Sequence, residues 1–485
     1  MASKPDSRIL LITYPDSMGR NIPELKEILD SHFSKAVAGV HLLPFFPSSG
    51  DRGFAPIDYH RVDAAFGTWE NVRSLSRGYT LMADFMINHI SAQSEYYKDF
   101  LEKKDASPYR DMFIRYKDLW RNGEPTSEEL GLIYRRKPKA PYAVAQFADG
   151  SEEKVWSTFS DEQIDLDCST ETTRDFIRDS LAHIATMGVS TIRLDAFAYA
   201  VKRAGTSCFF VEPDIWELLD FCSDVLAPYG ARILPEIHEH YSIQLKLAAR
   251  GYCVYDFALP MLLIHAAYYG STAYLKHWLE ICPREQYTTL DTHDGIGVVD
   301  VRGLLPEEEL DRTRKDVFRY GANVKRIYST ACYNNLDVYQ INCTFYSALG
   351  NEDDAYLLAR AVQFFAPGTP QVYYVGLLAG RNDIELLEAT KEGRNINRHS
   401  YSSEEVAEEV KRPVVKKLVR LMEFRNAHCA FDGAFELLDC TDNALAIRRS
   451  LGDDFAELHA DFSTRRFCVR YSGAGGTETL DVGDV

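Results

Sequence analysis

Eight short runs rich in apolar, β-branched and aromatic residues recur along the 485-residue chain: Ile9–Tyr14, Gly39–Phe45, Tyr79–Phe85, Val189–Leu194, Arg232–Glu236, Cys253–Phe257, Gln286–Leu290 and Gln371–Val375. Amphipathic stretches separate them, among them Asn21–His32, Thr173–Met187, Asp214–Ala227 and Ile243–Arg250. This alternation specifies parallel strands, because a parallel pair needs a crossover and a helix commonly supplies it. Eight such units predict an α/β fold, a closed (β/α)8 TIM barrel.

Two gaps interrupt the period. The segment 89–167 is long, aromatic and loop-rich, which predicts an inserted subdomain after the third strand. The segment 296–350, with a helix expected at Pro306–Asp316, predicts another after the seventh. Beyond Phe431 the runs Leu445–Arg448, Phe455–Phe462 and Arg466–Tyr471 alternate with period two, which predicts a C-terminal antiparallel β domain. The expected division is a barrel over 1–88, 168–295 and 351–430, inserted units over 89–167 and 296–350, and a β domain over 431–485.

Charge narrows the function classes. With 72 acidic against 54 basic residues the net charge is -18, which repels phosphate backbones and argues against nucleic acid and anionic membranes as partners. The greasiest stretch, Cys253–Gly270, contains Asp256, Pro260 and His265, so a buried strand and helix are expected there rather than a membrane span. Residues Met1–Asp6 are polar and the run Ile9–Ile12 is too short for a signal-peptide core, so the cytoplasm is the expected location. Ten cysteines without a CxxC pair fit reduced thiols, with Cys208, Cys222, Cys253 and Cys343 expected to be buried. No cofactor and no metal is implied. The charged run Ser402–Arg412 reads as a solvated helix face.

In barrels the C-terminal strand ends carry the chemistry. Here those ends hold Asp84 and Asn88, Asp195, Glu236, Asp291 and Asp294. In Ile192–Arg193–Leu194–Asp195, period-two alternation turns Arg193 and Asp195 to one face. A guanidinium beside a carboxylate keeps it ionised and fixes its direction, as a carboxylate nucleophile requires. A structural ion pair is the other reading of that stretch taken alone.

Four stretches in order, Asp84–His89, Ile192–Asp195, Leu234–Ile237 and Leu290–Asp294, resemble the four signature regions of the α-amylase superfamily. Further stretches, Leu11–Tyr14, Gly39–Phe45, Leu290–Val298, Asn335–Gln340, Gln371–Gly376 and Gly393–His399, are similar to the sucrose phosphorylase subgroup. The resemblance implies retaining glucosyl transfer from sucrose to inorganic phosphate, with Asp195 as nucleophile, Glu236 as acid/base and Asp294 as the carboxylate that stabilises the transition state. Such chemistry needs an ionised carboxylate at the anomeric carbon and a protonated carboxyl at the leaving oxygen, about 5 Å apart.

The same resemblance assigns His89 and His293 to hydroxyls of the glucosyl ring. It has Asp51 and Arg394 close the pocket beyond the 4-hydroxyl, and Phe54, Phe159 and Gln163 line it. Arg193, Asp337 and Gln340 belong to the implied substrate site. Phosphate contacts fall to Tyr199, His238, Tyr339 and the loop carrying Arg135, Arg136 and Lys137. Lys137 stands where many members have arginine, and lysine binds phosphate as a point charge rather than as a fork.

That basic loop also suits a donor phosphorylated on the fructosyl 6-position, a sucrose 6-phosphate. Tyr339 argues against it, because those relatives often carry histidine there. Two further alternatives are a hydrolase or transglucosylase with the same residues, and a non-catalytic amylase-like binding subunit. The last is expected to lack a catalytic carboxylate or to carry a membrane segment. The expected partners are small molecules, in a monomer or homodimer.

Overall fold

The computed structural model describes residues 7–136, 139–322 and 339–481. Eight parallel strands organise it: β1 (Leu10–Thr13), β2 (Gly39–Leu42), β3 (Thr80–Met86), β4 (Val189–Asp195), β5 (Arg232–Pro235), β6 (Val254–Asp256), β7 (Gln286–Thr289) and β8 (Thr369–Tyr373). They pair in the order β6-β7-β8-β1-β2-β3-β4-β5, and the two end strands lie side by side, so the sheet curls into the expected barrel.

Burial on both faces explains the unbroken apolar runs. Every residue of β1 is buried, as is every residue of β7 and β8. Leu10, Met82, Leu234, Tyr255 and Tyr287 form a cluster apart from the main core. These residues come from β1, β3, β5, β6 and β7, and strands that are not neighbours touch only through the barrel interior. The crossover helix Glu171–Thr186 shows how the outer layer is written. Thr170 caps it by accepting from the Thr173 amide, and Phe176, Ile177, Leu181 and Ile184 turn one apolar face inward.

Boundaries differ locally from the sequence reading. The second strand stops at Leu42 instead of Phe45, ahead of Pro44, which has no amide hydrogen for a ladder. The eighth begins two residues earlier than expected and ends at Tyr373, because Tyr374–Leu377 winds into a helical turn. The greasy stretch divides, as expected, into β6 and the helix Leu259–Tyr269.

Between β3 and β4 the chain forms the hairpin Tyr142–Gln146 with Glu152–Trp156 and a small core of Ile114, Tyr116, Trp120, Ile133 and Trp156, which Cys208 joins from the connection after β4. After β7 come a short antiparallel pair, Ile296–Gly297 with Gln340–Ile341, and the helix Glu307–Arg319, three residues longer than expected at its end. The C-terminal sheet has five antiparallel strands, β9 (Ala434–Leu438), β10 (Ala444–Leu451), β11 (Asp454–Asp461), β12 (Arg466–Gly473) and β13 (Gly476–Thr479). The first and last were not anticipated. The sheet packs on the helix Asp353–Phe365, which is buried from Ala355 onward. Among the described residues no helix is long and apolar enough to cross a membrane. The nine described cysteines are all free, although Cys253 is only partly buried.

Candidate active site

The C-terminal ends of the strands converge on one pocket, and Arg193 lies under its floor. This arginine is 3% exposed and touches three carboxyls: Nη1 donates to Asp84 Oδ1 at 2.5 Å and to Asp195 Oδ1 at 2.8 Å, and Nη2 stands 3.7 Å from Glu236 Oε1. His41 of β2 braces Asp84 from the other side at 2.9 Å. Replacing Arg193 with methionine strands Asp84 and Asp195 in a buried site, which is expected to cost about 3–5 kcal/mol of stability, read as a lowered thermal midpoint.

Strand β4 ends in a turn that aims its last carboxylate. Ala196 adopts a left-handed conformation, φ 52°, and its amide donates to Glu236 Oε2 at 3.1 Å. One backbone step thus ties the end of β4 to the residue after β5. Burial pushes the Asp195 carboxyl up, Arg193 opposes this, and the Glu236, Asp84 and Asp294 charges add to it. Asp294 goes the other way: despite burial, Arg394, His293, Arg398 and His238 hold its carboxyl far below the usual range. Arg394 Nη2 is 3.1 Å from Asp294 Oδ1.

The opposite wall is a strained loop. Asp51, Arg52 and Gly53 are consecutive positive-φ residues, and a Cβ on Gly53 would meet Pro44 at 2.7 Å. Arg52 holds the loop with two hydrogen bonds to Asp16, at 2.8 and 3.0 Å, and lies over the Tyr14 ring. The result places Asp51 Oδ1 3.7 Å from Arg394 Nη1 across the pocket mouth. It also presents the Phe54 carbonyl to His89 Nε2 at 2.8 Å and Gln163 Nε2 at 3.0 Å. The Phe54 ring stacks on His293, centroids 4.8 Å apart. Burial, with Arg193 and Arg398 nearby and Asp294 opposing, takes the His293 imidazole down to about 3, and burial lowers His89 as well. Both rings are therefore neutral near pH 7, and His89 donates from Nε2 to the Phe54 carbonyl.

The remaining predicted residues divide. Phe159, Gln163, Tyr199, His238, Tyr339 and Gln340 line the pocket with Asp51, Phe54, His89, Asp195, Glu236, His293, Asp294 and Arg394. Of the basic loop, Arg136 enters it: the guanidinium lies 4.1 Å from the Tyr339 ring centroid, 5.0 Å from Tyr134 and 5.4 Å from Tyr199, and donates to the Tyr199 hydroxyl. Arg135 lines an adjoining cleft with Lys139 and Cys208, a cleft that Arg136 also borders. Lys137 and Asp337 lie outside the described residues.

Sequence reasoning missed several neighbours. Phe209 lines the pocket from a loop with no periodic signal. Lys202, buried, bridges Asp165 at 2.6 Å and Asn88 at 2.5 Å beneath His89. Asp300 stands behind His238. Among the described residues one cluster has donor atoms close enough for a metal ion, Glu236, His238 and Asp294, all within 4.8 Å of one another. Each is already engaged, by the Ala196 amide, by Asp300 and Gln340, and by Arg394 respectively. Arg394 opposes a second cation there.

Comparison with known proteins agrees with this fold. A family model described as alpha amylase, catalytic domain, matches residues 29–214. A sucrose phosphorylase from Streptococcus mutans is 58% identical over 92% of this chain and 93% of its own length. A glucosylglycerol phosphorylase from Marinobacter adhaerens is 41% identical over 97% of this chain and 98% of its own. The crystal structure of sucrose 6F-phosphate phosphorylase from Thermoanaerobacter thermosaccharolyticum superposes with a TM-score of 0.95 at 42% identity, covering 99% of this chain and 98% of that one.

Proposed function

The chain belongs to the family of sucrose phosphorylases and related α-glucoside phosphorylases, and from that premise we propose that it converts sucrose and inorganic phosphate to α-glucose 1-phosphate and fructose with retention at the anomeric carbon. The observation that carries this is the single Arg193 guanidinium shared by Asp195 and Glu236. Its short hydrogen bond goes to Asp195 and opposes the burial that pushes that carboxyl up, which supports Asp195 as the charged nucleophile.

Asp195 attacks C1 as Glu236 gives its proton to the fructosyl oxygen, so the glycosidic bond breaks and a glucosyl-Asp195 ester forms. Phosphate then attacks C1, the ester bond breaks back onto Asp195, and the phosphate proton passes to Glu236. Asp294, held ionised by Arg394, stabilises the positive charge that develops on the ring in both steps.

Asp51 and Arg394 close the far end around the 4-hydroxyl and limit the donor to a terminal glucosyl unit. Asp51→Ala is expected to lower kcat/KM for sucrose about 10–100-fold, the worth of one charged hydrogen bond, and to lessen discrimination against α-glucosides extended at that hydroxyl. Kinetics on both donors check it.

Sucrose rather than sucrose 6-phosphate is the donor supported by Tyr339 against Arg136 and by Arg135 lying outside the pocket. Initial rates of α-glucose 1-phosphate release from each donor, with and without phosphate, decide the point. Higher kcat/KM for the phosphorylated sugar would reverse the assignment, and glucose release indifferent to phosphate would make the protein a hydrolase. The free thiols support a reducing cytoplasm as its location. The segments 89–167 and 296–350 act as two inserted units on the barrel, with 431–485 as a separate β domain.

A further inference from the structure

Behind Glu236 the wall holds a carboxylate that the two steps above do not use. Asp300 is fully buried, its Oδ2 lies 3.3 Å from His238 Nδ1, and its Oδ1 has no hydrogen-bond partner. A Cβ on Gly297 would meet that Oδ2 at 2.4 Å, so glycine there makes room for the carboxylate. His238 is buried as well, stacked on Phe257 with centroids 3.9 Å apart. Its Nε2 faces the pocket, 3.3 Å from Glu236 Oε1 and 3.0 Å from the Gln340 side-chain amide, which presents its oxygen to the ring when His238 is protonated. A carboxylate behind one ring nitrogen fixes the tautomer and favours the imidazolium, leaving the other nitrogen to act in the pocket.

We propose that Asp300 is a positioning residue which, through His238, makes the glucosyl enzyme accept phosphate in preference to water. This rests on the phosphorylase reading above. Once the ester has formed, Asp195 is neutral but Glu236 and Asp294 are ionised, and both repel hydrogen phosphate. Water meets no such barrier. An imidazolium at His238 offsets that repulsion and offers the dianion a charged donor. In the step itself a phosphate oxygen bonds to C1, the C1–oxygen bond of the ester breaks with its electron pair staying on Asp195, and the phosphate proton moves to Glu236. His238 keeps its proton throughout.

The charges facing His238 come from two segments: Asp300 and Asp294 from the chain after β7, and Glu236 from the end of β5. Burial disfavours the imidazolium, but Asp300 first and then Glu236 and Asp294 outweigh it and raise the imidazole above its ordinary value. Arg193 and Arg394 lie beyond those carboxylates and neutralise part of their charge.

Asp300→Asn keeps the shape and removes the charge. With sucrose as donor, fructose, glucose and α-glucose 1-phosphate are measured across phosphate concentration and pH. The ratio of glucose to α-glucose 1-phosphate is counted per glucosyl enzyme, so it does not depend on how much variant is folded. The expected results are a roughly 10-fold rise in that ratio and in the phosphate KM. The phosphate-dependent limb falls as pH rises through the His238 value in wild type, and it moves to lower pH in the variant. In a His238→Gln background, Asp300→Asn is expected to add nothing. An unchanged ratio and pH limb in Asp300→Asn, or an effect that persists in full without His238, would overturn the proposal. Wild-type protein making no phosphate-dependent α-glucose 1-phosphate would overturn the phosphorylase reading and the proposal with it.

Discussion

Asp195→Ala is expected to lower kcat with sucrose by about 10⁴-fold or more, because no other carboxylate can take over attack at C1. Asp84 and Glu236 are the other two carboxyls on Arg193, but Asp84 is fully buried below the floor and Glu236 is committed to proton transfer. The loss should fall on kcat rather than on KM, since the hydroxyl contacts remain. Steady-state kinetics with sucrose check it, and circular dichroism confirms that the variant is folded. Turnover within 10-fold of wild type would move the nucleophile elsewhere.

Glu236→Gln separates the two halves of the reaction. With sucrose the expected loss is about 10³-fold, the scale of one general acid. With α-glucosyl fluoride, whose leaving group needs no proton, the first step should proceed close to its normal rate. The glucosyl enzyme then accumulates, because glutamine cannot accept the phosphate proton. Peptide mass spectrometry should find the glucosyl group on the fragment containing Asp195. Equal losses with both donors, or an adduct on Asp294, would contradict the assigned roles.

The barrel was legible because its signal is periodic. Each strand is a short buried run, and every amphipathic stretch read between them has its helix, as Thr173–Met187 has in Glu171–Thr186. Strand ends were less legible, since Pro44 and the turn at Tyr374 depend on local backbone geometry that composition does not encode. The pocket was legible where side chains follow strand periodicity, as Arg193 and Asp195 do. It was not where loops choose a direction. Nothing in Arg135–Arg136 says which of the two turns inward, and that choice follows from the tyrosine rings around Arg136. Lys202 and Asp300 were invisible for a related reason: each is a single charge whose buried partner lies far off in the chain.

The identity and anomeric form of the product decide most directly between phosphorolysis with retention and its alternatives. Proton NMR of wild-type protein with sucrose and inorganic phosphate should show α-glucose 1-phosphate and fructose appearing together in equal amounts, and only when phosphate is present. The β-anomer would mean inversion without a glucosyl-Asp195 ester, and free glucose formed at the same rate with or without phosphate would mean that water is the acceptor.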